Sequence, residues 1–414
     1  VTSLFRRRLL LPILSIFTII GPAFITANVD NDAPGIATYS VAGAHYGYTL
    51  LWLLWPTLVV LLVVQEISAR MGVASGKGLA DLIREEFGVK VTLLLMLALL
   101  VTNFANTAGE FAGLAAGARI FGVSPYLSVP VGAFLVWLLV LRGTYRVVER
   151  IFLAASFVYL AYPISGFLSH PDWAEIGRAS VTLSLRSDPV YLYTAVGIVG
   201  TTIAPWMQFF LQSTVVERGT PPSRYHQARA DVIIGSIFAI IVVFFIMVAA
   251  AATIHREGLT IHTAAEAARA LAPFGRYAST LFAVGLLNAA LFAASILPLS
   301  TAYSICEGIG WEHGLDRPFR QAPQFYSLYT ALIVLGGALV LIPGIPLLHV
   351  MILSQVMNGL LLPAILILMV KLVTSRRLMG PLAASRGYTI FAWALAVLLI
   401  ALDLLLLGAT IRGG

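Results

Sequence analysis

Long apolar runs separated by short polar stretches dominate the pattern along the chain. Runs of about 20 residues, the length that crosses a bilayer, fall near 10–43, 49–68, 91–117, 127–141, 151–168, 190–215, 230–253, 277–308, 325–343, 347–371 and 387–411. They predict an all-α polytopic membrane protein with about eleven transmembrane helices. Two runs are broken from within. The first carries Asp30-Asn31-Asp32-Ala33-Pro34-Gly35, and the sixth carries Gly197 and Gly200 followed by Thr201-Thr202-Ile203-Ala204-Pro205-Trp206. Proline removes a backbone donor and glycine tolerates unusual dihedrals, so each run is expected to unwind there.

An unwound backbone at membrane depth survives only where it is buried in protein or lines a watery cavity. Carboxylates in such a place are costly and point to function. The two breaks hold corresponding positions in two five-helix halves, about 10–168 and 190–371, with 387–411 as an additional helix. Matching interrupted helices are a sequence pointer to a transporter site near the bilayer midplane. No linker or low-complexity run divides the chain, so 1–414 reads as one transmembrane domain.

Composition agrees. The chain has 414 residues, 59% hydrophobic and only 11% charged, against about 25% charged in soluble domains. The single cysteine, Cys306, rules out an intramolecular disulfide framework and any multi-cysteine metal site. The net charge of +7 does not imply nucleic acid, because the basic residues lie in short loops. Most of them alternate to one side: Arg6–Arg8, Arg70–Lys90, Arg142–Arg150, Arg218–Arg229, Arg317–Arg320 and Lys371–Arg386. That asymmetry places the N-terminus in the cytoplasm and the C-terminus outside, in a bacterial-type plasma membrane. Arg6-Arg7-Arg8 precede an apolar run without a small-residue cleavage site, so a first transmembrane helix is expected there and not a cleaved signal. Short surface helices are expected at 75–87 and 264–271, and Gly76-Lys77-Gly78 lacks the spacing of a phosphate loop.

At these residues the chain resembles the NRAMP family of divalent-metal transporters. Asp32-Ala33-Pro34-Gly35-Ile36-Ala37-Thr38 is similar to that family's first-helix Asp-Pro-Gly-Asn-Ile-Ala-Thr motif. Gln65 to Lys77, Ala108-Gly109-Glu110-Phe111-Ala112-Gly113, Arg142 to Arg150, Arg229-Ala230-Asp231 and Leu353-Ser354-Gln355-Val356 resemble later signatures. The resemblance implies a LeuT-type fold of two inverted five-helix repeats plus one helix, working by alternating access. It also implies a metal site between the unwound first and sixth helices. In the family an Asp and an Asn of the first helix, a backbone carbonyl and a Met of the sixth hold the metal. Here Asp32 matches the Asp, Gly35 stands at the Asn and Ala204 at the Met. Trp206 stands at a histidine position, Gln212 against a second histidine, and Thr107 where a proton-linked acid is common. The Pro205–Ser213 interval is one residue longer than usual.

Removing a thioether removes a soft contact that favours transition metals, whereas Mg²⁺ takes oxygen ligands and keeps several waters. Asp32, carbonyls around 201–204 and the Gln355 amide therefore suit a partly hydrated Mg²⁺, with Mn²⁺ also accepted and with little proton coupling. The reading is a divalent cation importer with no cofactor beyond the transported ion, whose partners are that ion and the lipid bilayer. No nucleic acid and no obligatory protein partner is expected. A proton-coupled Mn²⁺/Fe²⁺ importer and, more distantly, an organic-solute symporter on the same fold are the alternatives. No nucleophile–base pair or zinc-protease spacing suggests an enzyme.

Each candidate residue also has a plainer reading. Asp32 is either a metal ligand or an N-cap of the helix that follows. Asp30 and Asn31 line the pocket or help solvate the break. Glu110 is a cavity carboxylate that draws cations or a buried interhelical hydrogen-bond partner. Thr201 and Ala204 offer backbone oxygens or simply pack closely. Gln355 is a ligand, direct or through water, or one half of an interhelical amide bond. Asn358 lines the cavity or packs, and Trp206 fills space below the site or gates it.

Overall fold

The computed structural model describes residues 31–141, 156–314 and 317–413, and every regular element among them is helical. Asp30, the first run before Asn31, and the basic loop 142–150 lie outside the described residues. Helix α1 spans Ala33–Tyr46, α2 Leu54–Ser75, α3 Leu79–Ile120 and α4 Pro125–Leu141. A 3₁₀ turn at Ser156–Leu160 leads into α5, Ala161–Leu168, and a short surface helix α6 covers Trp173–Val181. The sixth run is two helices, α7 Pro189–Thr202 and α8 Pro205–Glu217. Helix α9 covers Tyr225–Thr253, α10 Ala264–Ala267, α11 Ala278–Ile309, α12 Pro323–Val340 and α13 Leu347–Thr374. The short α14, Arg376–Met379, precedes the additional helix α15, Arg386–Gly413. Eight helical spans among the described residues are long and apolar enough to cross a membrane, and Pro125–Leu141 and Phe157–Leu168 are shorter apolar helices.

Two helices run further than the hydrophobic pattern indicates. Helix α2 continues past 68 to Ser75 because its polar end is satisfied locally. Glu66 and Arg70 pair one turn apart at 2.7 Å, Tyr225 of α9 and Tyr388 of α15 both donate to the Glu66 carboxylate, and the Arg70 guanidinium lies over both tyrosine rings. Breaking such a buried pair by removing one member is strongly destabilising, so the cluster ties α2, α9 and α15 together. Helix α3 absorbs the surface helix expected at 75–87 and turns into its membrane-crossing part at a kink on Gly88. The segment expected as a surface helix at 264–271 is α10 followed by a 3₁₀ stretch, Ala268–Tyr277, kinked at Leu271 and Gly275.

The long helices α3, α11 and α13 form the centre, with α7 laid against α13 and α1 held between α3, α9 and α13. Small residues set these distances, as in membrane helix pairs generally. A Cβ on Gly200 of α7 would overlap the Gln355 carbonyl and the backbone of Gly359 on α13. Gly200→Val is therefore expected to force α7 off α13 at a cost of about 1–3 kcal/mol. The check is thermal unfolding of the detergent-purified protein, with an unchanged midpoint counting against this packing.

Candidate functional site

The first break is built by Asp32. It is the N-cap of α1, extended at φ −68° and ψ 172°. Its Oδ1 accepts from the Gly35 N–H at 2.6 Å, and its carbonyl accepts from Ile36 at 2.9 Å. Pro34, in the first turn, has no N–H to satisfy and is preset for helical φ. The plainer N-cap reading of Asp32 is therefore present in the geometry, and Gly35 serves it through its backbone amide. Asn31 and Asp32 are both buried.

Glu110 reaches the same place from α3. It is wholly buried; Oε2 accepts from the Ala33 N–H at 3.4 Å, while Oε1 has no hydrogen-bond partner. Its carboxylate thus meets the turn that Asp32 caps, one residue on from Asp32 itself. The approach depends on Gly113 and Gly109, whose missing side chains leave room for Ala33 and Pro34. Both readings of Glu110 find a feature here, one oxygen bonded between helices and the other open.

The second break lies between α7 and α8. Ile203 at φ −130°, ψ 56° and Ala204 at φ −63°, ψ 135° leave the helical region. In a continuous helix the Thr201 carbonyl would bond residue 205, but Pro205 has no N–H to donate. The Thr201 hydroxyl is likewise buried without a partner. The Ala204 carbonyl is already occupied, accepting from Met207 N at 3.1 Å and from Gln208 Nε2 at 3.3 Å. Of the two backbone oxygens singled out from the sequence, Thr201 is thus the more open. The breaks are joined by Tyr39 of α1, whose hydroxyl lies 2.8 Å from Thr202 Oγ1. That hydroxyl donates to Ile198 O, so Tyr39 is the donor between them.

Gln355 and Asn358 sit beside the breaks on α13 and are bound up with Asn106 of α3. Asn106 Nδ2 donates to Asn358 Oδ1 at 2.7 Å, and its Oδ1 accepts from Asn358 Nδ2 at 3.1 Å and from Gln355 Nε2 at 3.4 Å. Gln355 also donates to Ser354 and accepts from Asn358 at 3.0 Å. The interhelical amide reading of Gln355 is what the geometry contains, and the cluster braces α13 against α3. Trp206 is fully buried in the first turn of α8, beside Phe210, and its carbonyl accepts from Ser300 of α11 at 3.5 Å.

Sequence reasoning passed over Asn106, Tyr39 and Gln208. A signal existed for two of them: Asn106 lies one helical turn before Glu110, and Gln208 one turn after Ala204. Nothing in the chain singles out Tyr39 before its partner is known.

Residues 23–409 match the family described as natural resistance-associated macrophage protein-like, Nramp. The chain belongs to the Nramp family. It is 29% identical over 413 residues to the divalent metal cation transporter MntH of Deinococcus radiodurans, covering 96% of this chain and 91% of that one. Its fold matches the Eremococcus coleocola manganese transporter, solved with an aromatic bis-isothiourea compound, at a TM-score of 0.74 and 21% identity. The match covers 93% of this chain and 85% of that one. It also matches MhsT, solved with L-phenylalanine, at a TM-score of 0.62 and 14% identity over 94% and 98% of the two chains. The architecture is the LeuT type, and this Nramp chain is a polytopic membrane transporter.

The Asn106 cluster gives a test of how the site is held. Asn106→Ala strands polar groups of Gln355 and Asn358 in the interior, at a cost of about 1–3 kcal/mol. Chemical or thermal unfolding in detergent should register that loss, and an unaltered stability would show that the amides re-pair without Asn106.

Proposed function

We propose that this Nramp protein imports divalent metal cations by alternating access, Mg²⁺ first and Mn²⁺ also, with the ion partly hydrated and little proton coupling. The observation that supports it most is the donor set at the paired breaks. Asp32, Glu110 and the Thr201 carbonyl all present oxygen, while Ala204 and Trp206 stand where the family resemblance sets a thioether and an imidazole. Two carboxyl groups meeting at one buried turn are relieved by a shared proton or by a cation between them. Oxygen ligands with room for water fit a hard cation such as Mg²⁺. Asp32 would bind the ion, with Asn31 and Glu110 beside it and Gln355 and Asn358 holding the wall. The face bearing Arg70, Lys77 and Arg218 would be cytoplasmic, by the excess of basic residues on it. An inside-negative potential then assists entry by about 2.3 kcal/mol per charge per 100 mV, twice over for a divalent ion.

A second reading, a proton-coupled Mn²⁺/Fe²⁺ importer, draws on one observation: the open Oε1 of buried Glu110 is a place where a proton could sit. The readings separate in proteoliposomes loaded with a pH dye. Mg²⁺ influx without acidification, reduced to background by Asp32→Ala, is the expected result. Influx of Mn²⁺ alone, with acidification, would establish the second reading instead, and Asp32-independent flux would remove the site from the mechanism.

Selectivity can be tested at the missing thioether. Ala204→Met should shift the Mn²⁺ to Mg²⁺ uptake ratio upward on the order of tenfold, the equivalent of one favourable contact of about 1.4 kcal/mol. An unchanged ratio would mean that residue 204 does not face the ion.

A further inference from the structure

The two broken helices are held to each other as well as to their neighbours. Helix α1 begins at the first break, just after Asp32, and α7 ends at the second, at Thr202. Tyr39 of α1 and Thr202 are both wholly buried, and their hydroxyl oxygens lie 2.8 Å apart. The Thr202 hydroxyl donates its hydrogen to the Ile198 carbonyl at 2.7 Å, so the hydrogen between the two helices belongs to Tyr39. Helical side chains lean toward the N-terminus of their helix, which carries the Tyr39 hydroxyl back along α1 toward the break. Beside it Thr38 lies against α7 at Gly197, where a Cβ would stand 3.5 Å from the Thr38 methyl.

In the last turn of α7 the bonds along the chain run out. The Val199 carbonyl still accepts from Ile203 at 2.9 Å, but Pro205 has no N–H for the Thr201 carbonyl. The place of that carbonyl is then fixed largely by the contacts of Thr202 next to it. Tyr39 suits this task because it stands on a helix fixed from other sides. Gly43 packs on the Met247 carbonyl of α9, and Gly109 and Gly113 of α3 admit Pro34 and Ala33. The break that carries Asp32 and the one that carries Thr201 are thus joined through one hydroxyl. Tyr39 sits about two turns along α1 from Asp32, roughly 10 Å by helical rise, so it joins the breaks from a distance.

We propose that Tyr39 is a positioning residue for the transported cation: its hydroxyl, through Thr202, sets the Thr201 carbonyl relative to Asp32. The proposal rests on the reading that Asp32 and that carbonyl hold the ion. The test is the Mn²⁺ affinity of the detergent-purified full chain, read by the free-ion paramagnetic resonance signal, beside the unfolding midpoint measured without metal. Tyr39→Phe keeps the ring and removes the hydroxyl; it should raise the Kd about fivefold, the scale of one net hydrogen bond. Thr202→Val should do the same, and decides the matter if Tyr39→Phe does not purify. The double variant should lose no more than either alone, and Thr202→Ser should bind as wild type. A Kd unmoved by Tyr39→Phe, or losses that add in the double variant, overturns the proposal. So does a metal-free midpoint that falls while the Kd holds, since the tie would then serve stability alone. Asp32→Ala judges the reading beneath. Mn²⁺ binding absent from wild type, or surviving Asp32→Ala, overturns both; binding lost with Asp32 but indifferent to Tyr39 overturns the positioning role alone.

Discussion

A membrane interior gives a broken helix nothing with which to hydrogen-bond, and this requirement governs the structure around it. At the first break the Asp32 side chain answers the Gly35 amide, and Glu110 answers Ala33 from another helix. At the second, Pro205 removes a donor and Gln208 folds back to the Ala204 carbonyl. Among the side-chain oxygens left without a partner after these local repairs are Glu110 Oε1 and the Thr201 hydroxyl, and Pro205 has no N–H to offer the Thr201 carbonyl. On the proposed reading, a transported cation would complete these oxygens.

The surrounding helices make that arrangement affordable to hold in place. Gly109 and Gly113 let α3 touch the start of α1, and Gly200 meets Gly359 where α7 crosses α13. Such contacts bring backbones close enough for short polar side chains to reach across. Asn106, Gln355 and Asn358 do so between α3 and α13, and Tyr39 with Thr202 between α1 and α7. The same logic recurs at the basic face, where Glu66 and Arg70 are closed off by Tyr225 and Tyr388. Polar groups in this protein are therefore distributed as interhelical ties, and the few that tie nothing are conspicuous.

Much of this was legible before any coordinates. Proline and glycine inside an apolar run announce a break whatever the fold, so Asp32–Gly35 and Thr201–Pro205 stood out together. Glu110 was visible as a charge in a membrane span. The role of Gln355 was not decidable, because a buried amide reads alike whether it faces an ion or another amide. Its partner Asn106 lies 249 positions away, and the register of α3 on α13 is a tertiary fact. Helix ends were misjudged for a related reason. Hydropathy stops at the last apolar residue, whereas α2 continues to Ser75 because Glu66 and Arg70 find partners on helices far along the chain.

The breaks and the basic face differ in how their buried oxygens are held. At the breaks, Asp32 caps α1 and Glu110 reaches its first turn at Ala33, the environment in which the proposed ion would trade part of its hydration shell. At Glu307 and Gln212 the side chains flank the Lys77–Gly78 turn from two helices without converging into a cage. A transporter must bind firmly enough to select and loosely enough to release. Helix α8 connects the two, beginning at Pro205 in the break and carrying Gln212 and Ser213 at its far end. The break and the Lys77–Gly78 turn are in this way tied to the two ends of one helix.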